Sequence, residues 1–201
     1  MYWIHSSRPD ASEHFQKQLL MMLNTYNPKN RPLLFVCVGT PSVLGDCLGP
    51  LVGTILDSKI PAPIYGTLDA PIHALNCSQV FSSIKKQHQR PFIIAIDAAL
   101  GSLAQSGYIL LKKGPLFPGK GVGKHLPPIG HLQITGVFQD LFQPNTGTQM
   151  ASFCRCISQG ILKLYPSFES TQERHFVDVL KIPANRNPAG DSTNFNASRL
   201  N

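Results

Sequence analysis

The chain has 201 residues, enough for one domain with a substantial core, and its 42% hydrophobic content is ordinary for a globular protein. The formal net charge is +7, from 18 basic and 11 acidic residues. The cations are spread along the sequence in clusters no larger than Lys85-Lys86 or Lys112-Lys113, which argues for a solvated surface and against direct nucleic-acid binding. No apolar run nears the roughly 20 residues that span a bilayer. Trp3-Ile4 gives way to Arg8, Asp10 and Glu13, not to a signal peptide, so a cytoplasmic protein without a membrane partner is expected.

Asp10 or Ser12 can cap a first helix running to about Leu23, with Phe15, Leu19, Leu20, Met22 and Leu23 on its apolar face. The turn Asn27–Pro32 leads into Leu33–Val38, a short apolar run that reads as a buried parallel strand. Beyond it come Gly45-Asp46-Cys47-Leu48-Gly49-Pro50 and a helix with Pro50 in its first turn and Leu51, Ile55 and Leu56 inside. A strand over Ile64–Thr67 follows, then Leu68-Asp69-Ala70-Pro71. A helix is predicted from about Pro71 to Lys86, burying Ile72, Leu75, Val80 and Ile84. The next strand, Phe92–Asp97, completes α-β-α-β-α-β, the order of a parallel sheet covered by helices.

Further strands are predicted at Tyr108–Leu111 and His131–Val137, on either side of a Gly/Pro-rich loop. A helix over Thr148–Leu164 and a last strand at Phe176–Leu180 follow. Residues 1–182 thus make one domain, and the Asn/Pro/Ser/Gly-rich segment 183–201 is expected to be a disordered tail.

The chemistry concentrates on Asp46 and Asp97. Each follows an apolar strand, and in an open α/β sheet such positions converge on one crevice, at the point where the strand order reverses. Two carboxyl groups there can share a proton and activate water. For Asp46 the competing role is a helix N-cap, and for Asp97 a bond to the next turn. Asp69 lies at the matching end of the second strand, and His73 one predicted helical turn later, so both are candidates to touch substrate. The loop Gly119–Lys124 lacks the phosphate-binding pattern and reads as a rim of the site, with Gly119, Lys120 and Gly121 against substrate.

Cys47, beside a helix start that can lower a thiol pKa, is the rival nucleophile, with His73 as its base. Five cysteines cannot all pair, there is no C-x-x-C, and Cys154 and Cys156 would point to opposite sides of a helix. Reduced thiols and no metal or other cofactor are expected.

Val38-Gly39-Thr40, Gly45–Gly53, Tyr65–Ala74, Ile96-Asp97-Ala98, Pro118–Val122 and Leu126–Gly130, in this order, resemble the YyaC-type sporulation proteins over about residues 10–165. That family is similar to the germination protease of spore-formers, which degrades small acid-soluble spore proteins, and to the hydrogenase-maturation endopeptidases. The resemblance implies a three-layer α/β/α sandwich with a mostly parallel sheet, phosphorylase/hydrolase-like. It places the catalytic pair on Asp46 and Asp97, with a protein or peptide substrate in a sporulating cell or spore core. Cys47 stands where the germination protease carries a small residue. The expectation is an aspartic-type endopeptidase. The alternatives are a non-catalytic peptide-binding protein on the same fold and a thiol-dependent hydrolase using Cys47.

Overall fold

The computed structural model describes residues 1–118, 127–140 and 145–165. The Gly119, Lys120 and Gly121 rim, the strand Phe176–Leu180 and the tail 183–201 lie outside the described residues.

In chain order the elements are β1 (Tyr2–His5), α1 (Ala11–Tyr26), β2 (Leu33–Cys37), α2 (Leu48–Leu56), β3 (Ile64–Tyr65), α3 (Cys77–Gln87), β4 (Phe92–Leu100), β5 (Tyr108–Lys113), β6 (Leu132–Phe138) and α4 (Thr146–Leu162). The strands form one sheet in the order β1-β5-β6-β4-β2-β3. The run β6-β4-β2-β3 is parallel, and β5 and β1 add antiparallel strands at one side. Strands β3, β2 and β4, the first three of the parallel series, stand in the order 2-1-3, so the strand order reverses at β2.

Helices cover both faces, giving the three-layer α/β/α sandwich. On one face α1, α2 and α4 place Phe15, Leu19, Val52, Ile55, Phe153 and Ile157 on Phe35, Cys37, Ile94, Ile96 and Ile134. On the other, Cys77, Phe81 and Ile84 of α3 pack with Leu34, Val36, Ala95, Leu116 and Ile129. Each such side chain, fully buried, contributes about 1.5–3 kcal/mol, so these two apolar layers hold the sheet that carries the site.

One element is new and two local expectations are corrected. The N-terminus forms β1, because Ile4 is buried while Trp3 faces outward and the strand pairs along one edge with β5. Asp10 sits at the N-cap of α1 without capping it, since Arg8 takes both carboxylate oxygens at 2.9 Å. The third helix begins at Cys77 and not near Pro71. Ile72 instead bridges to Val38 in parallel, and the Asn76 side chain accepts the His73 N–H and donates to the Pro71 carbonyl, both at 2.9 Å. That side chain gives the segment its hydrogen bonds as a turn.

Gly49, in the first turn of α2, packs against the end of β2. A Cβ there would stand 2.1 Å from the Val38 carbonyl oxygen and 2.6 Å from its nitrogen, whereas one on Gly147 would meet only Leu44 Cδ2 at 3.9 Å. Gly49→Val should therefore cost several kcal/mol, at or beyond the usual ~1–3 kcal/mol of overpacking, while Gly147→Val costs roughly the β-branched helix penalty. Denaturant melts of both variants check this, and equal midpoints would refute the close approach at Gly49.

Candidate active site at the carboxyl end of the sheet

The site starts where β2 stops and β4 does not. Cys37 pairs with Ile96, and the Val38 N–H donates to the Ile96 carbonyl at 2.7 Å. The chain then leaves the sheet at Gly39, whose φ of +152° and close approach to the Asp46 carbonyl leave no room for a side chain. It returns through a 3-10 turn at Leu44–Asp46 into α2. Strand β4 runs on to Leu100 beside β6, with Asp97 opposite Thr135. Asp97 is thus mid-strand, not terminal as expected, and is the first residue of β4 beyond its pairing with β2. The connection after β2 crosses towards β3, while the chain after β4 goes to the β5-β6 side. This is the topological switch point of the sheet.

Asp46 is half-buried in that turn, and its Oδ2 accepts the Thr40 N–H at 2.8 Å. It does not cap α2: Cys47 holds the N-cap position and makes no side-chain cap bond. The carboxylate instead ties down the loop in which it sits.

The alternation of β4 fixes the direction of Asp97. Ile96 and Ala98 pack into the layer of α1, α2 and α4, so Asp97 points to the α3 face. Its Oδ1 accepts the N–H of Ala98 at 2.8 Å. Burial pushes its pKa up to about 8; the Ala98 N–H offsets part of this, and the charge of Asp46 adds to it. The Asp97 carboxyl therefore keeps its proton at neutral pH and feels the Asp46 carboxylate.

The structure treats Asp69 and His73 differently. Asp69 is exposed in the turn after β3, where the Thr67 hydroxyl accepts the Ala70 N–H at 3.1 Å. His73 is half-buried, and its Nδ1 accepts the Leu75 N–H at 3.3 Å. With α3 starting at Cys77, the helical turn that would align the two does not exist. Among the described residues no hydrogen bond or ion pair joins them.

Cys47 is buried, and its Sγ donates to the Leu44 carbonyl at 3.1 Å. Burial, not the helix N-terminus, dominates here and pushes the thiol up to about 11, with Asp46 raising it further. Since His73 is engaged elsewhere and Cys47 with Leu44, no thiol–imidazole pair forms. Cys47→Ser should therefore leave any hydrolysis within about threefold of wild type, because a thiol protonated at neutral pH is a poor nucleophile. Slow alkylation of Cys47 by iodoacetamide at pH 7.5 is the matching chemical result, and rapid stoichiometric labelling would contradict it. All five cysteines are free and buried.

Thr135 escaped the sequence reading. It is a single threonine inside Leu132–Phe138, 5% exposed, and its Oγ1 has no hydrogen-bond partner among the described residues. A polar residue inside an apolar strand was the available signal.

A cleft of about 300 Å³ opens elsewhere, between Leu20, Leu23, Asn27, Arg31 and Tyr165 at the amino end of the sheet. It contains no carboxylate, so the acid chemistry lies at the opposite edge. Among the described residues no group of three His, Cys, Asp or Glu side chains can hold a metal ion, and no helix is long and apolar enough to cross a membrane.

Fold and site together define a three-layer α/β/α protein with two aspartates, Asp46 and Asp97, towards the carboxyl ends of neighbouring strands at its switch point. Residues 3–147 match the family described as "Protein of unknown function (DUF1256)", and the chain belongs to that family. It is 40% identical over 133 residues to the Bacillus subtilis (strain 168) protein named "Uncharacterized protein YyaC". That match spans 65% of this chain and 65% of the relative, just under two thirds of the relative's length. The YyaC-type resemblance read from the motifs is borne out.

Proposed function

We propose that the chain is a hydrolase of the aspartic-peptidase type, with Asp46 as base and Asp97 as acid. What supports this reading is the placement of Asp46, after β2, and Asp97, on the neighbouring parallel strand β4, at the switch point, with burial raising the Asp97 pKa and the Asp46 charge adding to it. Two acids whose surroundings separate their protonation are a ready acid–base couple. In the reaction, Asp46 takes a proton from water as the water oxygen bonds to the peptide carbonyl carbon. Asp97 gives its proton to the carbonyl oxygen. The gem-diol intermediate then collapses: the C–N bond breaks, the amine leaves with the proton that Asp46 gained, and one gem-diol hydroxyl returns its proton to Asp97 as the carboxylic acid forms.

The motif resemblance to the germination protease supports a protein substrate and a role in sporulation. Small acid-soluble spore proteins are the first substrates to try, with purified protein and mass spectrometry of the products. New termini from wild type, absent with Asp46→Asn and Asp97→Asn, would establish the activity. Saturable binding of those substrates without cleavage would make the protein a peptide-binding member of the fold.

A further inference from the structure

We propose that the Thr135 hydroxyl positions the reacting water between β6 and the acid pair, an inference that rests on the hydrolytic reading above. Thr135 and Asp97 are register partners on neighbouring parallel strands. Such partners stand about 4.8 Å apart along the hydrogen-bonding direction, with side chains on the same face. Two observations fix that face. Ile134 packs with the α1, α2 and α4 layer, and a Cβ on Gly136 would point into Leu48 and Phe153 of the same layer. Thr135, between them, therefore points to the α3 face, as Asp97 does.

There the hydroxyl is more than nine-tenths buried and bonds to no neighbour among the described residues. A buried hydroxyl left without a partner costs free energy, so a threonine kept in this state needs a reason. Valine has the same shape and β propensity and would not carry that cost. Asp97 Oδ1 is engaged by the Ala98 N–H, and no described residue donates to Oδ2. A water held by Thr135 Oγ1 and Asp97 Oδ2 would satisfy both groups and sit beside the Asp46 charge that reaches Asp97. Thr135 can hold this water either as donor or as acceptor, which suits a molecule that gives up a proton as it attacks. Gln18 and Ser158 also carry unpaired buried polar atoms, but they lie on α1 and α4 and face no acid pair.

Thr135→Val and Thr135→Ser test the assignment in the full chain. The valine variant should fold with an unchanged or higher thermal midpoint. It should lose at least about tenfold in kcat with little change in KM, the pattern of a group acting on the chemical step. The serine variant should recover most of kcat. Alongside activity, the Asp97 carboxyl is titrated by carbon-13 NMR. Loss of a hydrogen bond that favours the carboxylate raises the midpoint, so valine should move it up and serine should not. Equal kcat for wild type and the valine variant overturns the proposal. If wild type hydrolyses nothing, the hydrolytic reading fails and the titration alone decides about Thr135. A midpoint shifted by valine and restored by serine keeps the water-holding role, and identical midpoints remove it.

Discussion

Asp97→Asn should abolish hydrolysis and make the protein more stable at pH 8. The two effects have one cause. The native state holds the Asp97 proton up to about pH 8, whereas an aspartate in an unfolded chain releases it near pH 4. Between those values the native state binds more protons than the unfolded state, so stability falls as pH rises through this window. Below about pH 4 both states are protonated and the carboxyl carries no penalty; above about pH 8 the penalty is complete. Asparagine never ionises and keeps an oxygen for the Ala98 N–H. Its advantage therefore appears above pH 4 and reaches its full size near pH 8. With water reaching the half-buried group, about 2 kcal/mol is a reasonable size, or several degrees in Tm. Asparagine also has no proton to give, so the rate should fall about 10²-fold or more. Calorimetry at pH 4 and pH 8 with wild type and variant checks the sign. A variant less stable than wild type at both pH values would mean that Asp97 serves the fold, and the acid role would lose its basis.

The pair was legible because parallel strands announce themselves. Leu33–Val38 and Phe92–Asp97 are apolar on both faces, and the acid after each run had to lie near the carboxyl edge whatever the details. The extension of β4 to Leu100 was hidden, because Ala98 and Ala99 are poor strand formers and are held by pairing with β6, a partner far away in sequence. The start of α3 was misplaced for a similar reason. Pro71 is a good first helical residue, but the Val38–Ile72 bridge and the Asn76 side chain claim those backbone groups first. For Cys47 the local rule, a thiol beside a helix start, lost to burial, which the sequence does not report.

The charges carry a similar lesson. Lys29 and Arg31, Lys59, and Arg90 are far apart in the sequence, yet they lie in the turns that enter β2, β3 and β4, and Lys113 ends β5 beside the first residue of β6. They share the amino edge of the sheet, while Asp46 and Asp97 occupy the other. Among the described residues no cation is one of the groups that move the Asp97 pKa. Burial, with the Asp46 charge adding to it, therefore sets the elevation of that pKa.

Asp46→Asn should also abolish hydrolysis, through the other half of the couple. Asparagine can still accept the Thr40 N–H through its oxygen, so the loop from Gly39 to Asp46 should hold and Tm should stay within about a degree of wild type. It cannot take a proton from water, so a loss of about 10²-fold or more is expected. The variant should leave a second mark. Removing the Asp46 charge removes one of the two influences that raise the Asp97 pKa, so the Asp97 midpoint should move down from about 8. In wild type the same ionisation should appear in the pH profile of kcat/KM as a fall in rate when pH rises through about 8, as the acid loses its proton. The double variant should be no slower than either single variant, because two groups that act as one unit cannot be removed twice. Additive losses in the double variant, or an Asp97 midpoint unmoved by Asp46→Asn, would show that the two carboxyl groups work independently. The couple at the switch point would then not be the catalytic unit.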